Sequence, residues 1–275
     1  MGVCKYCGHT AGVFNEFHQE CLDNYEACLN EMTELTKTAV LNGGDFQKLN
    51  ARLIELAREG NVEKKKIKKA ALRGWSQAVN QIVEEGVVSR SVERVLTEFK
   101  QFFHLSQNQL ERVGSNKRLI RACIIREVLE GRLPDRSQSV EEMPFLLLEK
   151  ERLIWLFTDV KYCEHKFNVD FVSKYKGIEF GDAEYYRPSS FASQLLDENQ
   201  VVHLNTGLLG ITNKSLHFTG PRRSFKINLS QIMSLTAFKE GLGVKRDVTS
   251  KPTIFITEDG WFTYNLVSNI RKMHL

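Results

Sequence analysis

Proline is absent from the first 133 of the 275 residues; all five prolines, at positions 134, 144, 188, 221 and 252, lie beyond. Because proline breaks helix interiors, this absence permits an all-helical region there. The chain also lacks any apolar run near the ~20 residues that a membrane-spanning helix requires. Its richest patches, Phe145–Leu148 and Leu153–Phe157, are short and separated by charged residues. The first residues do not read as a signal peptide, since Cys4, Lys5, Tyr6 and Cys7 stand where an apolar core is needed. A cytoplasmic location is expected. With 42% hydrophobic and 26% charged residues and a net charge of +4, the composition excludes a disordered chain.

Catalytic signatures are missing as well. There is no Gly-x-Ser-x-Gly, His-Glu-x-x-His or Gly-x-Gly-x-x-Gly. The stretch Gly207–Ser215 falls short of a phosphate loop because Asn213 stands where a glycine should precede Lys214. His104, His165, His203, His217 and His274 occur singly, and the acidic pair Glu141-Glu142 sits in a polar stretch. Neither an enzyme nor a small-molecule substrate is expected.

What is present divides the chain. Nine aromatic residues fall in 1–133 and eighteen in 134–275, which tilts the second half towards strands. Residues 133–144 are polar and proline-bracketed, as a linker would be. The expected organisation is a zinc knuckle over 1–22, a helical bundle over 23–133 and a β domain over 145–275, an α+β protein. Asn61 is placed to cap a helix carrying Ile67, Ala71, Trp75, Ala78 and Ile82, with Gly86 ending it. A further helix carries Val92, Val95, Leu96, Phe99 and Phe102, and Ser106-x-x-Gln109 has capping-box form. Gly114 and Gly131 fit left-handed helix ends, giving about five helices in all. In the second half seven short strands are expected: 201–205, 208–212, 215–219, 224–229, 235–239, 243–246 and 253–257. Turns are expected at Thr206-Gly207, Thr219-Gly220-Pro221, Glu240-Gly241 and Glu258-Asp259-Gly260. Trp261–Lys272 is read as a closing helix, with Phe262, Leu266 and Ile270 along one side.

The sharpest motif is Cys4-Lys-Tyr-Cys7, then ten residues, then His18-Gln-Glu-Cys21. Two pairs of ligands, each separated by two residues, suit tetrahedral zinc. Four protein ligands leave no open position, so a structural Zn2+ is expected here rather than a hydrolytic one, and such a site supplies folding energy to a segment too short for its own core. His9 and Cys28 are spare candidates, while Cys123 and Cys163 have no partner at ligand spacing. The knuckle-plus-helix layout resembles treble-clef or LIM-like zinc fingers.

Residues 48–73 hold nine Lys or Arg against Glu55, Glu59 and Glu63, an excess larger than the net charge of the whole chain. Lys64, Lys65, Lys66, Lys68 and Lys69 surround Ile67. They fit either contact with phosphates, in nucleic acid or on an anionic membrane, or a solvated helix face that leaves the apolar stripe intact. A helix-turn-helix drawn over 106–128 would carry Lys117, Arg118 and Arg121 on its second helix.

The run Gly207-Leu-Leu-Gly-Ile-Thr-Asn-Lys-Ser-Leu-His-Phe-Thr-Gly220, followed by Ser224-Phe-Lys-Ile-Asn-Leu-Ser-Gln-Ile232, resembles the core of GRAM and other pleckstrin-homology-like domains. The order from Leu153–Phe157 through Asp259–Leu266 is similar to a family of uncharacterised bacterial and prophage proteins in which such a region follows a helical one. The resemblance covers about residues 145–272. It implies a seven-stranded barrel capped by the C-terminal helix, and a domain that binds phosphoinositides, other lipid headgroups or proteins. No dense basic loop opens the barrel; Lys214, Arg222, Arg223 and Lys226 form the one cluster near the motif. The leading expectation is a non-enzymatic interaction module that docks a protein partner or the membrane surface. Tyr185, Tyr186 and Trp261 are candidate contacts. The rival expectation is nucleic-acid binding through the knuckle and the 48–73 helix.

Overall fold

The computed structural model describes residues 2–12, 15–134, 144–166, 187, 188, 191, 195–247 and 251–273. The chain forms two compact units, Met1–Cys123 and Ile124–Leu275. The linker expected at 133–144 lies outside the described residues over 135–143, as do Tyr185, Tyr186, Glu141, Glu142 and His274.

The first unit begins with a short antiparallel hairpin, β1 (Gly2–Val3) and β2 (Thr10–Gly12). Helices follow: α1 (Gln19–Asn42), α2 (Phe46–Glu59), α3 (Lys64–Val83), α4 (Arg90–Phe102), α5 (Gln107–Arg112) and α6 (Ser115–Leu129), which runs past the division at Cys123. The chain therefore carries six helices here where about five were expected. Side chains close several helix starts: Asp45 accepts from Gln47 and Lys48 N–H, and Ser89 from Val92 N–H. Both halves of the capping box at Ser106 and Gln109 are formed. Asn61 does not cap α3. It adopts a left-handed φ of 49°, which asparagine tolerates. Val62 N–H then donates to Ala57 C=O, so Asn61 closes α2, and α3 starts two residues later on Glu63.

Met32, Leu53, Leu56, Trp75, Leu96 and Phe99 fill the core of this bundle. The crossing of α1 and α3 depends on Gly74: a β-carbon there would lie 2.6 Å from Thr36 Cβ and closer still to the Thr33 carbonyl oxygen. A Gly74→Ala change improves helix propensity by up to ~1 kcal/mol. The overlap is with backbone, which cannot swing aside, so the two helices must part. We expect a net loss of about 2 kcal/mol, read as a lower denaturation midpoint at unchanged m-value.

The second unit contains one antiparallel sheet of seven strands: β3 (Leu153–His165), β4 (Val201–Thr212), β5 (Ser215–Thr219), β6 (Ser224–Asn228), β7 (Ser234–Phe238), β8 (Gly241–Lys245) and β9 (Thr253–Ile256). Its order is β6-β5-β4-β3-β9-β8-β7, so it is not closed by strand pairing, and β6 and β7 end it. Two expectations are corrected. The strands expected at 201–205 and 208–212 are one strand, β4, with no turn at Thr206-Gly207. The glycine serves a close approach instead: a β-carbon on Gly207 would lie 2.8 Å from Gly220 Cα and against the Thr219 carbonyl. The strand absent from the expected set is β3, the longest. Its register with β4 shifts at three places, and Asp159 has a φ of 57°. Such bulges destroy the alternation by which strands are recognised.

Helix α7 (Gly260–Lys272) is capped by Asp259, whose carboxylate accepts from Phe262 N–H, and it packs on β7 and β8. Phe262, Leu266 and Ile270 are fully buried, and Phe262 meets Trp155 edge-to-face at 5.0 Å. No helix among the described residues is long and apolar enough to cross a membrane.

Candidate metal centre

The described residues from Cys4 to Gly12 and from Asn15 to Cys21 bring the two halves of the motif together. Cys4 N–H donates to His9 C=O at 2.7 Å and Gly8 N–H to Cys4 C=O at 2.8 Å, making a knuckle whose Gly8 has a φ of 76°. A left-handed φ favours glycine, so Cys7 can turn its sulfur back towards Cys4. His18 is the N-cap residue of α1 and Cys21 lies in its first turn. The donor atoms of Cys4, Cys7, His18 and Cys21 all lie within 4.8 Å of one another.

The histidine is oriented by a backbone group. Its Nε2 lies 3.0 Å from the Thr10 carbonyl, which only accepts, so Nε2 carries the proton. The lone pair is left on Nδ1, which faces Cys7 Sγ at 3.4 Å and Cys21 Sγ at 3.6 Å. A tetrahedral zinc ion with its usual bond lengths separates a nitrogen and a sulfur ligand by about 3.6 Å. The donor set therefore fits such an ion, with no fifth group needed. Thr10 was invisible to sequence reasoning, because a carbonyl leaves no mark on residue type.

Electrostatics also asks for a cation. Burial raises the Cys4 thiol, but the N–H groups of Cys7, His18 and Tyr6 outweigh it and hold the group at about 6. Burial and the neighbouring Cys7 and Cys4 sulfurs push Cys21 up to about 11. The Thr10 carbonyl raises His18. Three sulfurs this close repel one another as thiolates, and a divalent ion removes that repulsion. Aromatic rings back the knuckle: Tyr6 packs on Tyr25 of α1 at 4.7 Å and on Phe17 at 6.4 Å, with Lys5 over Tyr6.

No protein-family model matches the chain, and no curated protein matches it.

Of the spare ligands, Cys28 is buried in the helical core beside Gly60, and His9 is exposed outside the group of four. The four cations near the β motif do not converge. Lys214 and Arg222 lie beyond opposite ends of β5, a strand of five residues, roughly 16 Å at the usual rise. Lys214 Nζ donates to Glu149 C=O at 2.9 Å, and Lys226 Nζ to Glu151 Oε2 at 3.0 Å. Arg223 lies over Tyr162 and donates to its hydroxyl and to Glu164. Arg222 alone lines a surface cavity of about 480 Å3, with His203, Asn205, Thr206 and Pro221. Trp261 is half-buried at the start of α7.

Sequence reasoning missed one polar site in this unit. The Glu151 carboxylate is fully buried and accepts from His217 Nε2 at 2.8 Å, Thr212 Oγ1 at 2.7 Å, Leu148 N–H at 3.0 Å and Lys226 Nζ. Phe145 stacks on His217 at 4.7 Å, over Gly210. These contacts fasten the stretch before β3 to the sheet. Glu151 and His217 are 66 residues apart, so no local pattern announces them.

Proposed function

We propose that this chain is a non-catalytic, cytoplasmic interaction module. A structural Zn2+ ion folds its N-terminal knuckle, and its β unit is a pleckstrin-homology-like scaffold that docks a protein partner. The observation that carries the reading is the closed donor set of Cys4, Cys7, His18 and Cys21, which leaves a bound ion no position for substrate or water. The β unit supports it through its seven strands and the C-terminal helix packed on β7 and β8, the features implied by the resemblance. The barrel of that resemblance would be completed by α7 rather than by pairing of β6 with β7.

Protein docking is favoured over lipid because Lys214, Arg223 and Lys226 are held by groups of the same unit. The unit also shows solvent apolar side chains suited to a protein surface, with Leu146 93% and Leu195 74% exposed. Metal analysis of the purified full chain, with co-sedimentation on vesicles, tests the reading. We expect one zinc per chain and no sedimentation with anionic vesicles at physiological salt. Sedimentation that disappears in Arg222→Glu would replace the protein partner with a lipid.

A further inference from the structure

The first unit carries a row of cations that the zinc site and the β unit do not use. On α3, Lys66, Lys69, Arg73, Ser76 and Asn80 follow one another at alternating spacings of three and four residues and so share one face. From Lys66 to Asn80 the helix rises roughly 21 Å. The far end of this face is taken by the start of α6: Ser115 Oγ bonds Ser76 Oγ at 3.0 Å, and Arg118 Nη1 donates to Asn80 Oδ1 at 2.9 Å. The near end stays open to solvent, with Lys69 and Arg73 exposed and Lys66 half-buried. Asn80 thus carries a fourth cation, Arg118, into line with the three of α3.

On α2 a surface cation is matched by carboxylates: Arg52 meets Glu31, Glu55 and Glu59 within 3.3 Å. Lys66, Lys69 and Arg73 have no hydrogen-bond or ion-pair partner among the described residues, whereas Lys65 is paired with Glu63 and Lys68 with the His104 carbonyl. The start of α3 is moreover the wrong end for lysines. Helix N-termini repel cations, yet Lys64, Lys65 and Lys66 open this helix, and the Glu63 side chain caps nothing. Glu63 acts on Lys66 and Lys69 through space without contacting them, and a row of like charges that it does not neutralise would be stabilised by a polyanion.

We propose that this row, Lys66, Lys69 and Arg73 with Arg118, binds the phosphate backbone of a nucleic acid. Cations one helical turn apart along a straight line suit a chain of regularly placed phosphates. A membrane surface is disfavoured because the exposed large apolar side chains of this unit, Val3, Ile54 and Phe102, are not on α3, so nothing on the row inserts into lipid. The inference is independent of the reading given for the β unit.

The test is fluorescence anisotropy of the zinc-loaded full chain with labelled single-stranded and duplex DNA of about 20 nucleotides, between about 50 and 200 mM salt. Four phosphate contacts predict a slope of log affinity on log salt of about −2.8 for the single strand and about −3.6 for the duplex, a loss of roughly 50-fold and roughly 150-fold over that range. Lys66→Glu/Lys69→Glu/Arg73→Glu should lower affinity at least ~10-fold and remove about three-quarters of the slope. Lys37→Glu/Lys48→Glu/Arg58→Glu alters net charge equally and should do neither. If the triple reversal lowers zinc content or the thermal midpoint, Lys69→Gln/Arg73→Gln replaces it, with about half the slope removed. No binding at about 50 mM salt overturns the proposal, as does an equal effect of the two triple variants. Tighter binding to anionic vesicles than to DNA, lost in the same variant, overturns it in favour of a membrane.

Discussion

Cys7→Ser, or chelation of the wild-type protein, is expected to unfold residues 4–18 while leaving the helical bundle folded. The hairpin of β1 and β2 is two and three residues long, far below what pairs stably in water. Among the described residues of this segment, the larger apolar anchors besides the sulfurs are the rings of Tyr6 and Phe17. A structural zinc site contributes on the order of 10 kcal/mol in small finger domains, more than any other single interaction available here. The bundle does not share this dependence, because Met32, Trp75 and Leu96 pack without help from the knuckle. The expected signature is zinc content falling from one per chain to none, with amide exchange rising at 4–18 and unchanged at 64–83. Cobalt substitution should give thiolate charge-transfer bands that Cys7→Ser abolishes. His9→Ala and Cys28→Ser should keep the metal, the latter at a cost of about 1 kcal/mol to the core. Retained exchange protection at 4–18 after chelation would refute a structural ion.

The candidate ligand group Cys4, Cys7, His18 and Cys21 was legible from sequence because its chemistry is local: two pairs at fixed spacing, the second at a helix start. The helices were legible for the same reason, since Ser106 and Gln109 or Gly114 and Gly131 act within a turn or two of chain. Where an interaction spans the fold, the signal fades. Gly207 reads as a turn residue, yet its partner is the backbone at Thr219, which only the pairing of β4 with β5 brings near. Asn61 reads as a cap for the helix after it and instead closes the helix before it; both uses suit asparagine, and the choice is made by Val62 reaching back to Ala57. The composition of Lys214, Arg222, Arg223 and Lys226 is that of an anion site, but alternation along β6 and opposite ends of β5 send the four apart. In β3 the bulges erase the alternation altogether.

Glu151→Gln is expected to destabilise the β unit by about 3 kcal/mol. Burial pushes this carboxyl up, but hydrogen bonds from His217, Leu148 N–H, Thr212 and Lys226 outweigh it and hold the group at about 2, against an ordinary 4.5. A carboxylate accepts all four; a glutamine amide turns one acceptor into a donor, opposing Leu148 N–H and the Lys226 ammonium. Removing one partner of a buried ion pair strands the other, which typically costs 3–5 kcal/mol. The depressed folded pKa fixes the pH dependence. Stabilisation is complete above about 4.5, where the unfolded chain is ionised as well, and it is lost as pH falls from there towards about 2. Wild-type protein should thus shed on the order of 3 kcal/mol across that window through this group, and Glu151→Gln should not. Denaturant titrations at neutral pH and at steps through the acid range measure both effects. The loss should be seated in the stretch before β3, where Arg152 N–H meets Asn213 Oδ1 and Asn213 Nδ2 meets Lys150 C=O. Amide exchange at 144–152 should rise in the variant before that of β4 and β5 does. An acid transition equally steep in Glu151→Gln would place the titrating group elsewhere, and Glu151 would then be no more than a packed side chain.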